Sequence, residues 1–180
     1  LKVSDPCISI KYASQIRKNF NAYHSLQEPL AVLERGFHTN STIFFENFFP
    51  DPYHIREVMQ KNNIILTSSA PGFCQNVTQK AVGNHMFSFE RAILAVKSNI
   101  FKKCRQLPFF NGLSVIQRDI NASRQIKLQT KIQKIERRTK GSNLCKNVEA
   151  WSPAKYILTS HGANVMNAIF LDSVSTRCII

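Results

Sequence analysis

Apolar positions along the chain fall into two patterns. Short continuous runs of β-prone residues occupy 8–10, 41–45, 63–67, 113–117 and 156–159, the pattern of strands buried in a sheet. Between them the apolar residues are spaced three to four apart. Leu26, Leu30 and Leu33 mark a helix over 23–34, with Pro29 at a kink or a start. An aromatic turn in which Pro50 and Pro52 flank Asp51 leads into a short helix over 53–61. Phe89, Ile93, Val96 and Ile100 define another helix, with Lys102 and Lys103 beyond its end. Residues 68–86, with Pro71, Gly72 and Gly83, read as an irregular connection. Residues 125–140 read as a helix with Leu128, Ile132 and Ile135 on one face and Lys127, Lys131, Lys134, Arg137 and Arg138 mostly elsewhere. The alternation predicts an α/β protein with parallel sheets and right-handed crossovers. Pro108 and Gly112 place its internal boundary near 107–112, between an N-terminal domain over residues 1–108 and a C-terminal domain over residues 109–180.

The run 155–171 is the most informative. Tyr156 to Thr159 reads as a buried strand, Ser160, His161 and Gly162 break it, and helical spacing begins at Ala163 with Val165, Met166, Ile169 and Phe170. A strand that turns through glycine into a helix presents free N–H groups to an anion above the turn. An ordinary βα turn has the same pattern. Arg118 directly follows the strand at 113–117 and Arg124 lies six positions on. If the strands are parallel, these arginines share an edge with the Gly162 turn and build a diphosphate cradle; a surface salt bridge is the plainer role for Arg118.

Composition narrows the partners. The chain has 180 residues, of which 43% are hydrophobic and 19% charged, which suits a folded protein with a real core. A formal net charge of +13 favours anionic partners without choosing among phosphates, nucleic acid and acidic lipid. The basic run 125–140 admits a nucleic-acid-binding module, although no RNA-recognition motif or zinc-finger spacing accompanies it. Cys7, Cys74, Cys104, Cys145 and Cys178 form no C-x-x-C pair, so one or two disulfides with a leftover thiol are expected rather than a zinc site. Sequons at Asn40, Asn76 and Asn121 are too common by chance to argue for secretion alone. The start at Leu1 and the strand-like end at Cys178 to Ile180 give the expectation of a fragment.

Residues 160–171, Ser-His-Gly-Ala-Asn-Val-Met-Asn-Ala-Ile-Phe-Leu, resemble the C-terminal signature of glycosyltransferase family 61. His161, Gly162, Ala163, Asn167, Phe170 and Leu171 match it; Asn164 stands where glycine is common and Met166 where a hydroxyl is common. The segment Val115-Ile-Gln-Arg118 with Ser123-Arg124 is similar to the family's strand-Arg…Arg segment. Residues 87–93 resemble the stretch before its second domain, and Asn21-Ala-Tyr-His24 resembles an Asn-x-x-His segment on the acceptor side.

The resemblance implies a GT-B-like fold of two Rossmann-type domains facing across a cleft, the second incomplete. It implies inverting transfer of an N-acetylglucosamine- or xylose-class sugar from a UDP-sugar to a hydroxyl of a glycan or protein, in the lumen of the Golgi or endoplasmic reticulum. Arg118, Arg124, His161, Gly162, Ala163, Asn164 and Asn167 would bind the nucleotide sugar, and His24, Glu28 and Asp51 are the candidates for the base. No Asp-x-Asp pair is present, so arginines and backbone N–H groups are expected to replace a metal, with no cofactor beyond the donor and no nucleic-acid partner. Against the family pattern the span from Arg124 to His161 is short, with a strand and helix reduced to residues 147–153. An inactive, sugar-binding relative is therefore the second expectation.

Overall fold

The computed structural model describes residues 7–10, 22–45, 49, 51–67, 77–80, 89–117, 126, 135–139, 143–171 and 176–179. The chain divides into two compact units, Leu1–Asn99 and Ile100–Ile180.

In the first unit, four strands form one parallel sheet: β1 (Cys7–Ile10), β2 (Thr42–Phe45), β3 (Ile64–Leu66) and β4 (Val77–Lys80). Their order is β3-β2-β1-β4. Ile43, Phe44 and Phe45 are consecutive and all buried, as an interior strand covered on both faces requires. Helix α1 (Ala22–Phe37) buries Leu26, Leu30 and Leu33, the stripe its spacing foretells, and stays helical through Pro29. Helix α2 (Ile55–Lys61) adds Ile55, Val58 and Met59 to the core. Helix α3 (Glu90–Phe101) is capped from outside itself: buried Glu34 of α1 accepts the Ala92 N–H at 2.8 Å and pairs with His38 at 3.1 Å. One of the orphan N–H groups of a helix start thus meets a carboxylate, which the helix dipole also favours. Val77–Lys80 is a strand where an irregular connection is expected. It lies at the sheet edge with one neighbour, so a short polar segment satisfies it and no apolar run announces it.

In the second unit, β5 (Phe110–Gln117), β6 (Ile135–Thr139), β7 (Ala154–Thr159) and β8 (Arg177–Ile179) form a second parallel sheet in the order β6-β5-β7-β8. Leu113, Ser114, Val115 and Ile116 of β5 are all buried. The expected helix over 125–140 is corrected at its C-terminal end, where residues 135–139 pair with β5. Sheet pairing overrides the helical period there, and an edge position tolerates Glu136, Arg137 and Arg138. The stretch read as a reduced remnant near 147–153 contains a helix, α4 (Leu144–Ala150), started by Asn143, whose side chain accepts the Lys146 N–H at 2.9 Å.

The boundary between units falls inside α3, earlier than 107–112. A disulfide between Cys104 and Cys145 ties the segment after α3 to the start of α4. Ile100 is fully buried and accepts the N–H groups of Lys103 and Cys104 at 2.9 Å. Beyond it, the Ser152 hydroxyl accepts the Leu107 N–H at 2.9 Å and reaches the Val148 carbonyl at 3.2 Å, and the Pro153 carbonyl accepts the Phe110 N–H at 2.9 Å. Cys7 is disulfide-bonded as well.

Candidate functional site

The second sheet reverses direction between β5 and β7. From β5 the chain moves to β6 on one side, then returns to β7 on the other. In an open parallel sheet such a switch point separates the two loops that leave the C-terminal ends of its neighbouring strands, and the crevice between them is where ligands bind. Register puts Ile116 opposite Thr159, so Gln117 and Ser160 leave the sheet side by side. Gln117 donates from Nε2 to the Ile126 carbonyl at 2.9 Å, which holds a point of the chain after β5 close to that strand's end.

On the β7 side the turn needs its glycine. Gly162 has φ 141° and ψ −171°, a region that a Cβ makes costly. From there a 3₁₀ helix runs over Ala163–Phe170, opened by the Val165 N–H donating to the Gly162 carbonyl at 3.0 Å. The α-helical spacing expected from Ala163 is corrected by this. In a 3₁₀ helix residues three apart eclipse one another, and the buried residues are Asn167 and Phe170 rather than the stripe of Val165, Met166, Ile169 and Phe170. The Phe170 carbonyl in turn receives Gln106 Nε2 at 3.4 Å.

Two hydroxyls lie immediately before the turn. Thr159 is 1% exposed, and its Oγ1 and the Ser160 Oγ are buried without a hydrogen-bond partner among the described residues. Buried polar atoms are nearly always paired, so orphaned ones at a strand end mark a place where a further polar group fits. The sequence pattern alone passes over both residues. The available signal is two consecutive hydroxyl side chains closing an otherwise apolar strand.

The expected site residues are distributed as follows. Gly162, Ala163, Asn164 and Asn167 lie in the turn and its 3₁₀ helix, where Asn167 is 4% exposed, and His161 is exposed at the turn itself. Arg118 and Arg124 lie outside the described residues. In the first unit, His24 and Glu28 are four apart on α1, the separation that places two residues on one helical face. Asp51 is a helix-start residue: its Oδ1 accepts the Ile55 N–H at 2.6 Å and its Oδ2 the Arg56 N–H at 3.1 Å. Arg56 also lies 3.9 Å from that carboxylate, donates to the Phe49 carbonyl and stacks 4.5 Å from the Phe49 ring centre. This aromatic turn therefore gives Asp51 a structural task, capping α2 and holding Arg56.

Among the described residues no group of three or more His, Cys, Asp or Glu side chains is placed to hold a metal ion, and no helix is long and apolar enough to cross a membrane. No protein-family model matches the sequence, and no curated protein matches it either.

Proposed function

We propose that the chain is a UDP-sugar-dependent glycosyltransferase of the family 61 type, with the diphosphate bound at the switch point of the second sheet. The observation that carries this reading is the side-by-side exit of Gln117 and Ser160, one strand leading directly to Arg118 and the other to the Gly162 turn. Backbone N–H groups at the start of the 3₁₀ helix and the guanidinium groups of Arg118 and Arg124 form a donor set suited to a diphosphate. Inverting transfer breaks the bond between the anomeric carbon and that diphosphate, so charge develops where these donors converge. The acceptor hydroxyl gives its proton to a base from the first unit, for which His24, Glu28 and Asp51 are the candidates. A GT-B-like pairing of the two units belongs to the same proposal. The Cys104–Cys145 disulfide supports a secretory compartment, where such bonds form and persist.

An inactive glycosyltransferase-like binding protein, lectin-like or a scaffold, that keeps the fold is the second reading. The shortened span from Arg124 to His161 favours it. A nucleic-acid-binding module using the basic segment stays far behind, since no RNA-recognition motif or zinc-finger spacing accompanies it.

Titration of UDP into wild type and Arg118→Ala, followed by NMR, tests the nucleotide site. Loss of a hydrogen bond to a charged group costs about 1.5–3 kcal/mol, so the variant should bind roughly tenfold or more weakly. Equal affinity in the two proteins, or no binding to wild type, refutes the site. Transfer from UDP-N-acetylglucosamine or UDP-xylose then separates the enzyme from the inactive relative.

A further inference from the structure

We infer that Asn40 carries an N-linked oligosaccharide whose first sugar seats over a polar cavity at the N-terminal edge of the first sheet. Asn40, Ser41 and Thr42 form an Asn-x-Thr sequon without proline in the middle position. Many such triplets are buried or sit inside helices, where a bulky hydrophilic chain cannot be accommodated. This one lies in the connection between α1 and β2. The His38 N–H donates to the Arg35 carbonyl at 3.0 Å to close the helix, and the Ser41 N–H donates to Thr39 Oγ1 at 3.1 Å. Asn40 between them is exposed, and Thr42 begins β2 with its side chain half-buried.

The surroundings match the modification. A cavity of about 530 Å³ opens beside Asn40, lined by Thr39, Ser41, Thr42, Asn62 and Asn63 together with apolar atoms of β2 and β3. Among the described residues no charged side chain lines it. Hydroxyls and carboxamides in a charge-free recess suit a neutral sugar, which offers donors and acceptors in equal measure, better than they suit an anion. Because Ile43 pairs with Ile64 in parallel, Thr42 and Ile64 mark the starts of their strands, and the cavity lies at that edge. The Cys104–Cys145 disulfide supplies the independent argument for compartment: oxidising conditions prevail where N-glycans are attached. The inference shares the secretory compartment with the proposed function and rests on none of its nucleotide-site residues.

In the reaction, Nδ2 of Asn40 forms a bond to the anomeric carbon of an oligosaccharide carried on a lipid diphosphate. The bond from that carbon to the diphosphate oxygen breaks, the diphosphate leaves with the electron pair, and the amide releases one proton to the transferring enzyme. The Thr42 hydroxyl is the recognition element of the sequon.

The test uses the full-length protein isolated from the cells that make it. Peptide N-glycosidase in heavy-oxygen water converts a glycosylated asparagine to a mass-tagged aspartate, and peptide mapping locates it. Asn40 should carry the tag. The glycan should be lost in Asn40→Gln and in Thr42→Ala and retained in Thr42→Ser and Ser41→Ala, which separates loss of the sequon from loss of folding. An untagged Asn40 peptide overturns the inference, whether or not the Cys104–Cys145 bond is formed. UDP affinity should be the same in Asn40→Gln as in wild type, so failure at Asn40 and failure of the nucleotide site are read independently.

Discussion

Breaking the Cys104–Cys145 bond gives the sharpest test of what holds the second unit together. The two cysteines are 41 positions apart, and the loop they close contains β5, β6 and the start of α4. Restricting a loop of that length removes roughly 13 cal/mol/K from the unfolded chain, which at 25 °C is about 4 kcal/mol of stability. A unit of about 80 residues has a total stability of roughly 4–12 kcal/mol at 0.05–0.15 kcal/mol per residue. The bond therefore contributes from a third of that stability to nearly all of it. The chain's single tryptophan makes the measurement clean: Trp151 is fully buried in this unit, so its fluorescence reports unfolding there. Guanidinium titrations of oxidised wild type, of wild type reduced with a thiol, and of the Cys104→Ala/Cys145→Ala double variant should settle it. In the reduced and double-variant proteins the tryptophan transition should move to much lower denaturant or already be lost without it. A loss below about 1 kcal/mol in both would refute the loop-closure account.

Gly162→Ala should cost about 1–3 kcal/mol of stability, since its φ and ψ lie in a region essentially confined to glycine, and should weaken UDP binding in parallel. Unchanged stability and affinity would show that the turn does not depend on this conformation. Tyr53 gives a pH dependence. Burial pushes its phenol well above the ordinary tyrosine value. Its neutral form is the one the fold favours, so its contribution is complete below about pH 10 and declines as pH rises beyond that unfolded-state value. An ultraviolet titration of the four tyrosines should show one that ionises only as the protein unfolds; four reversible ionisations with the fold intact would contradict this.

Local pattern was enough for elements whose burial is written in their own residues. The consecutive buried residues of β2 and β5 and the Leu26, Leu30 and Leu33 face of α1 are of this kind, because an apolar run or stripe is costly anywhere except in a core. Elements held by distant partners were not legible. Strand β4 has no apolar run and exists through its pairing with β1, in which Val77 aligns with Cys7. The partner of Cys104, Cys145, lies 41 positions away, and no local pattern pairs them. The candidate site divides in the same manner. Gly162 marks itself through the chemistry of a tight turn, whereas Thr159 and Ser160 become noticeable only when their hydroxyls are seen to be buried and unpartnered among the described residues. Asp51 is a candidate base only by its position in the first half, and the structure adds the two backbone N–H groups it accepts at the start of α2.

The least legible strand is also the one on which the proposed site depends. Had residues 135–139 formed the end of a basic helix, β5 could have been an edge strand and β7 its next neighbour in a simple succession. Direction would not have reversed between them. With β6 paired to β5 on the far side, Leu113 facing Ile135 and Gln117 facing Thr139, the reversal falls between β5 and β7. Residues 135–139, whose charges suggest a solvated helix or a nucleic-acid surface when read along the chain, form an edge strand. Strand β6 holds the outer edge of the sheet beside β5, while β7, which ends at the Gly162 turn, pairs with the other side of β5.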